Sequence, residues 1–575
     1  MPGRPWSPQA AEPGSPIALA RSAALSAHAA MVAALRDSQM SVGTVELIET
    51  RLSSLLRVGN RVYKLKKPEQ LEFVDFSTLR ARHQACEHEL RLNRRTAPRL
   101  YEAVVAVRQT PDGPRLGGLG QGDPGTGAVI DWAVQMRRFD DHQRLDRLAE
   151  AGQLTGPMMD RLAEAVTRFH GQLHPAPPGF GRAEASRHWP RENLFALSDL
   201  LRTQPGVDPA RLAQIEALQQ WTEARGAALA GLMDRRCRAG HVREVHGDLH
   251  LANIVWLDNA PLLFDALAFN ETLRHTDTAG DLAFTFMDLL AHGQPRLAWR
   301  FLSAALALSG DHAVLPLLIW WAVYRATARA TAAWTAAVHA APPCPQPAGQ
   351  GGGPAPPADQ RSALAQQGPQ ALAQRYLDLA LALAGLSPQP IAPRPPFLAL
   401  TVGLPGAGKS AVAEVLAERL GAVRLSADQE RRRLFGASLA ARESADAAGA
   451  DISRLTDQRL ATLAEGALAA GVSVLIDASS LRLDQREALR QTAARCQASF
   501  KLLLCEAPVP TLRARLALHA ASVPDADHAR QARLTQQLAS AEWPAGDELA
   551  EVLHLATDGP LSALVARLEA MAVSL

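Results

Sequence analysis

Three polar residues with a fixed spacing stand in the segment VHGDLHLANIVWLDNAPLLFDALAFN. The segment contains the pattern H-G-D-x-x-x-x-N from His246 to Asn253, and Asp265 ends the apolar run that follows. Transfer of a phosphoryl group to a hydroxyl needs a carboxylate that orients the hydroxyl and accepts its proton, and it needs oxygen ligands for the magnesium ions on the nucleotide phosphates. The sequence therefore predicts Asp248 as the catalytic base and Asn253 and Asp265 as magnesium ligands.

A lysine-rich strand is the second place with residues suited to phosphate chemistry. Only five lysines occur in the chain, and three of them stand in RVYKLKKP, ahead of the helical segment ACEHELRLNRR. Kinases use a strand lysine for the nucleotide phosphates and pair it with a helix glutamate. Because strand side chains alternate, Lys64 and Lys66 share one face. We predict that Lys64 pairs with Glu89. Lys66 and Glu87 stay open as alternatives, as does a solvated edge strand with ordinary lysines.

A glycine-rich loop, GLPGAGKS, stands between the apolar strand FLALTVG and a helical pattern. It satisfies G-x-x-x-x-G-K-[ST], in which backbone N–H groups surround the phosphates, the lysine reaches the outer phosphates and the hydroxyl ligates magnesium. We predict that this loop binds ATP and that Ser410 is also a magnesium ligand. The predicted nucleotide-binding residues are Gly403, Gly406, Gly408, Lys409 and Ser410.

Two aspartates follow strands near this loop. Asp428 stands in LSADQERRRLFG and is predicted to accept a proton from an acceptor hydroxyl. Asp477 ends the apolar run of VSVLIDASS and is predicted to hold magnesium through a water or to orient the acceptor. Helix capping is an equally good interpretation of each aspartate taken alone. Arginines that can clamp transferring phosphates as a group are Arg482, Arg486, Arg513, Arg515, Arg530 and Arg533.

The chain that must position these residues is expected to form more than one domain, because 575 residues are more than one hydrophobic core normally accommodates. The segments APPCPQPAGQGGGPAPPADQ and SPQPIAPRPP are too rich in proline and glycine to pack. The predicted divisions are a disordered tail over 1–25, a kinase-like domain over 26–387 with a flexible insertion over 341–364, a Pro-rich linker over 388–396 and a P-loop domain over 397–575.

The order of elements predicts two fold classes. A hairpin at Gly59 and Asn60, a helix, further strands and then mostly helical sequence indicate an α+β two-lobe kinase-like domain. After Phe397 strands alternate with helices, which predicts an α/β P-loop NTPase domain with a parallel sheet.

Composition excludes several classes of protein. Hydrophobic residues make up 47% and charged residues 21%, which is typical of a globular chain, and a net charge of +2 gives no support for nucleic-acid or membrane binding as the main activity. No stretch approaches the roughly 20 apolar residues of a membrane span. Five scattered cysteines favour a reducing compartment, so we expect a cytoplasmic location.

The N-terminal motifs resemble the aminoglycoside phosphotransferase (choline kinase-like) family, and more closely its subgroup fused to a P-loop domain, labelled bifunctional aminoglycoside phosphotransferase/ATP-binding protein. The resemblance covers about Ala29 to Ala340 and includes VELIETRLSSLLRVGNRVYKLKKP, WAVQMRRFDDHQRLDRLAEAGQLT and DLAFTFMDL. It implies that Asp281 lies in the helix that supports the catalytic loop. Ala268 departs from the subgroup, which is expected to carry an acidic residue there, at the second metal position or at an acceptor contact.

The segment from Phe397 to about Glu569 resembles the AAA-type kinase-like P-loop family, whose relatives include polynucleotide kinases, gluconate kinase and zeta toxins. The motifs are GLPGAGKS, LSADQERRRLFG, VLIDASSLRLDQRE and LLLCEAPVPTLRARL. The resemblance implies ATP binding and a hydroxyl acceptor, with Asp428 at the acceptor-activating position.

Together these features predict an enzyme that uses ATP and Mg²⁺ to phosphorylate an alcohol group of a small molecule through its N-terminal domain. An antibiotic acceptor is not favoured, because the sequence holds no concentrated acidic cluster to meet a polycation. One alternative is a regulatory protein that binds ATP without productive transfer. Another is a polynucleotide-kinase-like activity of the C-terminal domain, the one place where a nucleic-acid partner stays open.

Overall fold

The structure is a computed structural model, and it describes residues 16–39, 45–71, 74–117, 127–204, 207–339, 368–387, 395–436, 446–520 and 526–571. The chain forms two compact units. Unit 1 comprises Met1–Leu154, Arg168–Asp288 and Val323–Leu381, and unit 2 comprises Thr155–Thr167, Leu289–Ala322 and Ala382–Leu575.

Unit 1 opens with a six-stranded antiparallel sheet in the order β1-β2-β3-β8-β6-β7. Gly59 takes a left-handed conformation (φ +57°) in the tight turn between β2 and β3, so the predicted hairpin is confirmed. The strands are β1 (Val45–Glu49), β2 (Ser53–Val58), β3 (Arg61–Lys66), β4 (Gln70–Leu71), β5 (Val74–Asp75), β6 (Tyr101–Thr110), β7 (Gly113–Leu116) and β8 (Val129–Arg137).

Strand β3 divides its side chains between the two faces of this sheet. Tyr63 and Leu65 are buried in a cluster with Val32 and Leu35 of helix α1 (Pro16–Gln39). Because strand side chains alternate, the neighbouring lysines of β3 point to the opposite face. That face is covered by helix α2 (Leu79–Arg94), which begins at Thr78, whose hydroxyl accepts a hydrogen bond from the backbone N–H of Ala81 at 3.1 Å.

Helix α1 differs from the disordered tail predicted for residues 1–25, because residues 16–25 are helical. Proline is tolerated in the first turn of a helix, and the alanine-rich sequence that follows has high helix propensity. Its later turns add apolar side chains to the core of the sheet. Residues 1–15 lie outside the described part of the chain.

Mostly helical sequence follows the sheet, with two short antiparallel strand pairs: the hairpin of Ile254–Leu257 with Ala260–Leu263, and Val242–Glu244 paired with the more distant His275–Asp277. The elements from residue 145 to 383 are α3 (Leu145–Glu150), α4 (Gly156–Gln172), α5 (Ala183–Arg202), α6 (Pro209–Arg238), β9 (Val242–Glu244), β10 (Ile254–Leu257), β11 (Ala260–Leu263), α7 (Glu271–Arg274), β12 (His275–Asp277), α8 (Ala279–Ala291), α9 (Pro295–Ser309), α10 (Leu315–His339) and α11 (Pro369–Leu383).

Unit 2 contains a five-stranded parallel sheet in the order β14-β15-β13-β16-β17, with an entirely buried β13. Strands covered on both faces read as continuous apolar runs, as the sequence showed. The elements are β13 (Phe397–Val402), α12 (Lys409–Leu420), β14 (Ala422–Ser426), α13 (Ala427–Phe435), α14 (Asp446–Ala469), β15 (Ser473–Asp477), α15 (Leu483–Arg495), β16 (Ser499–Glu506), α16 (Val509–Ala520), α17 (Ala526–Ser540), β17 (Val552–Ala556) and α18 (Leu561–Met571).

Both predicted fold classes are confirmed: a sheet-and-helix kinase-like domain is followed by a parallel-sheet P-loop domain. The compact units divide the chain differently from the predicted domains, since unit 2 also takes in residues 155–167 and 289–322. The predicted insertion over 341–364 and most of the predicted linker over 388–396 lie outside the described residues. Among the described helices, none combines the length and apolar character needed to cross a membrane.

Candidate functional site

The loop that carries Asp248 is fixed by a buried aspartate beneath it. Asp281 of helix α8 is fully buried, and its carboxylate accepts the backbone N–H of His246 at 3.0 Å and of Gly247 at 2.9 Å. It also lies 3.1 Å from Nε2 of His170. Gly247 has φ +80°, a conformation that most side chains disfavour. Asp281 thus supports this loop, in the place that the family resemblance implied.

Asn253 fixes the carboxylate of Asp248. Its Nδ2 donates to the backbone oxygen of Asp248 at 2.9 Å and to Oδ2 at 3.0 Å, so the amide oxygen of Asn253 points away from both. Burial acts to raise the pKa of Asp248, but His250 and Arg329 outweigh it and hold this pKa well below its ordinary value. Asp248 is therefore ionised at neutral pH.

The segment with Asp265 is joined to this loop by backbone hydrogen bonds. Phe264 donates its N–H to the carbonyl of Asn253 at 2.9 Å, and Leu267 donates to the carbonyl of His246 at 3.0 Å. These bonds stand on either side of Asp265. The two segments are consequently held as one unit, which brings together the three side chains predicted for base and metal.

Asp265 itself has a left-handed backbone (φ +58°), which is uncommon for a residue with a side chain. Two residues that the sequence interpretation missed hold it there. Its N–H donates to the hydroxyl of Tyr101 at 3.1 Å, and the N–H of Ala266 donates to Oδ1 of the buried Asn93 at 2.8 Å. Hydrogen bonds with Tyr101 and Asn93 therefore hold Asp265 in this unfavourable backbone conformation, as is common at functional sites.

Lys64 connects this segment to helix α2. Its Nζ lies 2.9 Å from Oε1 of Glu89 and 2.6 Å from Oδ1 of Asp265. Glu89 is buried and also accepts a hydrogen bond from Nζ of Lys66. Burial acts to raise the pKa of Glu89, but the two lysines hold it at about 2. The ionised glutamate thus fixes two ammonium groups on one face of β3.

The alternatives left open by the sequence are placed differently. Glu87 is exposed on the outside of α2 and lies 3.5 Å from His83, so it does not pair with the strand lysines. Lys66 does pair with Glu89, and its ammonium also lies 5.7 Å from the centre of the Phe76 ring. Lys64 is distinguished from Lys66 by its contact with Asp265.

This difference leads to a prediction. Lys64→Ala should lower kcat/KM for ATP by at least roughly tenfold, because it removes the ammonium group that lies 2.6 Å from Asp265, the predicted magnesium ligand, whereas Lys66→Ala should act mainly on stability. Steady-state kinetics with ATP, together with thermal unfolding of both variants, would measure this. A larger loss of kcat/KM in Lys66→Ala would reverse the assignment.

The donor atoms at this site suit magnesium. Mg²⁺ prefers oxygen ligands and usually takes one or two carboxylates together with substrate phosphates. The amide oxygen of Asn253, whose Nδ2 is occupied by Asp248, and the 44% exposed carboxylate of Asp265 are oxygen donors of this kind. Within the described ranges, no group of three or more His, Cys, Asp and Glu side chains is arranged to hold a metal alone. The residues fit a metal that is completed by nucleotide phosphates.

The glycine-rich loop of unit 2 needs its glycines. Gly403, Gly406 and Gly408 have φ values of +153°, +82° and +75°. A Cβ at Gly403 would come within 2.7 Å of the carbonyl oxygen of Cys505, and one at Gly406 within 2.9 Å of that of Leu512. The loop therefore requires both the backbone conformation and the small volume of glycine.

Lys409 and Ser410 begin helix α12 directly after this loop. Nζ of Lys409 donates to the carbonyl of Leu404 at 2.8 Å, which keeps the ammonium group within the loop. The hydroxyl of Ser410 donates to Oδ1 of Asp477 at 3.2 Å, so the two predicted magnesium ligands of this site are adjacent. Nε of Arg424, a residue that the sequence interpretation missed, donates to Oδ2 of Asp477 at 3.2 Å.

Asp428 is not brought into this cluster. It lies in the first turn of helix α13, its side chain is 75% exposed, and it forms an ion pair with Arg431 at 2.9 Å. Ser410 and Asp477 are thus hydrogen-bonded to each other, whereas Asp428, just after the neighbouring strand β14, faces solvent.

The arginines predicted to act as one phosphate clamp fall into different environments. Arg515 donates to the carbonyl of Gly406 at 3.2 Å, which places it beside the loop. Arg482 forms an ion pair with Asp484 on the surface. Arg486 is buried, so its inclusion in a clamp is corrected: its guanidinium binds Glu548 at 2.7 and 2.9 Å and cannot reach a substrate. Arg513 is exposed, and the side chains of Arg530 and Arg533 lie outside the described part.

Arg486 should therefore matter for stability. Arg486→Ala leaves the buried carboxylate of Glu548 without its partner, which typically costs about 3–5 kcal/mol, and we expect a clear fall in the unfolding temperature of unit 2. Arg482→Ala is the matched control, because an exposed ion pair contributes about 1 kcal/mol or less. Thermal unfolding of the full chain checks both; an equal effect of the two changes would contradict the structural role.

Comparison with known proteins gives two family matches. Residues 56–318 match the phosphotransferase enzyme family, and residues 398–544 match an AAA domain. Proteins of Mycobacterium tuberculosis and Mycobacterium bovis, both described as uncharacterized, are 28% identical to the chain over 512 residues, which is 88% of this chain and 92% of each relative.

Solved structures of kinases are similar to parts of the chain. A gluconokinase from Sinorhizobium meliloti 1021 is 20% identical and matches 32% of this chain and 94% of its own, with a TM-score of 0.24. A Plasmodium vivax ethanolamine kinase is 8% identical and matches 59% of this chain and 81% of its own, with a TM-score of 0.34.

Proposed function

The chain combines a domain of the phosphotransferase enzyme family with a P-loop kinase-like AAA domain, and from this premise we propose that unit 1 transfers the γ-phosphoryl group of ATP to an alcohol group of a small molecule. The observation that carries the proposal is the joining of the Asp248 loop to the Asp265 segment by backbone hydrogen bonds at 2.9 and 3.0 Å. Base, metal ligands and the phosphate lysine thereby converge at one place.

The roles proposed for these residues follow from their contacts. Asp248 orients the acceptor hydroxyl and takes its proton, while the hydroxyl oxygen bonds to the γ-phosphorus and the bond to the ADP oxygen breaks. Lys64 contacts the nucleotide phosphates, and Glu89 fixes its direction. Mg²⁺, held by Asn253 and Asp265, would neutralise the charge on the phosphates.

For unit 2 we propose a second ATP site built from the glycine-rich loop, with Ser410 and Asp477 toward Mg²⁺ and Asp428 as the base for a hydroxyl acceptor. ATP binding without transfer is a second candidate there. It is favoured by the exposed position of Asp428, whose carboxylate pairs with Arg431. We also propose a cytoplasmic location, because both sites require ATP and the described cysteines are free thiols.

The proposal is tested by incubating the full chain with Mg²⁺ and γ-labelled ATP against three acceptor sets: small hydroxyl compounds, aminoglycosides and RNA with 5′-hydroxyl ends. Label should pass to a small hydroxyl compound in the wild type and in Lys409→Ala, but not in Asp248→Ala. Loss of all transfer in Lys409→Ala alone would assign catalysis to unit 2. ATP binding with no transfer to any acceptor would favour the regulatory alternative.

A further inference from the structure

A buried chain of hydrogen bonds runs behind the catalytic loop of unit 1. It begins at Asp288, near the end of helix α8, which is 1% exposed. One carboxylate oxygen of Asp288 accepts the backbone N–H of Leu251 at 2.8 Å, and the other accepts the hydroxyl of Tyr376 at 2.6 Å. Leu251 opens a single 3₁₀ turn, so its N–H has no partner within that turn and depends on Asp288.

Tyr376 continues this chain to Arg329 of helix α10. The guanidinium carbon of Arg329 lies 5.5 Å from the centre of the tyrosine ring, a cation–π contact. Nη1 of Arg329 in turn approaches Nε2 of His250 at 3.4 Å. That nitrogen lies 3.6 Å from Oδ2 of Asp248. The chain of contacts therefore starts at Leu251 and returns to the same loop at the preceding residue, His250.

Tyr376 is well placed to hold such a chain. It belongs to helix α11, whose buried face consists of Ala373, Tyr376, Leu377, Ala380 and Leu381 at helical spacing. The ring is anchored by this face, and the hydroxyl is its polar end. Helix α11 and Arg329 both lie beyond residue 318, where the match to the phosphotransferase family ends.

We propose that Tyr376 is a positioning residue for phosphoryl transfer at the Asp248 site, an inference that rests on the function proposed for unit 1. Its hydroxyl donates to Asp288, and its ring lies against the guanidinium of Arg329. These two side chains then hold the backbone of Leu251 and the ring of His250, on both sides of one peptide bond. Removal of the hydroxyl takes one hydrogen bond from the buried carboxylate of Asp288, which also fixes the backbone of Leu251, so we expect the loop to loosen.

The test is Tyr376→Phe in the full chain, which keeps the ring and removes the hydroxyl. The readout is Asp248-dependent ADP formation from Mg–ATP, defined as the part that Asp248→Ala removes. We expect kcat to fall roughly tenfold, while the affinity for a non-hydrolysable ATP analogue stays within about twofold of the wild type. Tyr63→Phe is the matched control, because it deletes another buried tyrosine hydroxyl on the far face of the sheet, and it should leave kcat unchanged.

A second variant separates positioning from general stability. Arg329→Lys keeps the charge but removes the planar guanidinium that lies against the Tyr376 ring and approaches His250. In a double-mutant cycle, the loss of kcat in Tyr376→Phe/Arg329→Lys should be smaller than the two single losses combined, because the two side chains are in contact and support the same loop. Additive losses accompanied by a falling unfolding temperature would instead show a merely structural role and overturn the inference.

The remaining outcomes are also decisive. Wild-type kcat in Tyr376→Phe would overturn the positioning role and leave the proposed function intact. Absence of any Asp248-dependent turnover in the wild type would overturn the proposed function, and the positioning role with it.

Discussion

Asp248→Ala is expected to lower phosphorylation of a hydroxyl acceptor by roughly 10²- to 10⁴-fold, the range that a positioned general base contributes. The affinity for the magnesium nucleotide should change little, because Asp248 does not belong to the proposed metal and phosphate ligands. In the structure its carboxylate accepts a hydrogen bond from Asn253 at 3.0 Å, and its side chain is 41% exposed. Initial rates at saturating ATP, with an analogue titration for affinity, measure both quantities.

The control for this change removes another carboxylate from unit 1. Asp258→Asn changes a 77% exposed residue in the turn between β10 and β11. Its carboxylate forms an ion pair with Arg99. This change should leave turnover at the wild-type level, since an exposed ion pair contributes little. Unchanged turnover in Asp248→Ala would remove Asp248 as the base.

Lys409→Ala is expected to weaken binding of magnesium nucleotide to unit 2 by roughly 10- to 100-fold, the effect of losing a charged hydrogen bond to phosphate. The ammonium group of Lys409 is held inside the glycine-rich loop by the carbonyl of Leu404 and would exchange that contact for a phosphate oxygen. Titration with a fluorescent nucleotide should show two sites per wild-type chain and one high-affinity site in the variant.

Lys501→Ala is the matched control for Lys409→Ala, because it removes a lysine of strand β16 that lies outside the glycine-rich loop. It should leave both nucleotide sites at the wild-type affinity. Asp248-dependent turnover should persist in Lys409→Ala. If that turnover disappears together with nucleotide binding to unit 2, the two sites do not work separately and the account of unit 1 as an independent site is wrong.

Residues that act within a short motif could be found in the sequence. The loop from His246 to Asn253 and the glycine-rich loop each carry several polar or glycine residues of a known motif within eight residues, so spacing alone predicts their chemistry. Alternation along β3 likewise placed Lys64 and Lys66 on one face, and Glu89 proved to contact both. In these places local geometry and function coincide.

Residues that act across long sequence separations could not be found in this way. Asn93 and Tyr101 hold the Asp265 segment from 173 and 164 residues away. Arg424 meets Asp477 only because strands β14 and β15 are neighbours in the folded sheet. Nothing in the local pattern of these residues distinguishes a functional polar group from an ordinary buried one, since the signal lies in the contact.

Solvent exposure was the other property that the sequence did not reveal. Arg486 and Arg482 stand four residues apart, yet one is buried against Glu548 and the other pairs on the surface. Asp428 and Asp477 both follow strands of one sheet, but only Asp477 turns inward to the loop serine. Burial depends on which helix packs over each residue. Residues of the same type at similar sequence positions therefore differ in their exposure to solvent.

The most direct test of a nucleotide site built from Lys64, Asp248, Asn253 and Asp265 is a crystal structure of the full chain with Mn²⁺ and a non-hydrolysable ATP analogue. Anomalous scattering from manganese would locate the metal. The expected result is manganese bound by the Asn253 amide oxygen and the Asp265 carboxylate, with the γ-phosphate between the metal and Asp248. Nucleotide at the glycine-rich loop alone, or a γ-phosphate directed away from Asp248, would contradict it.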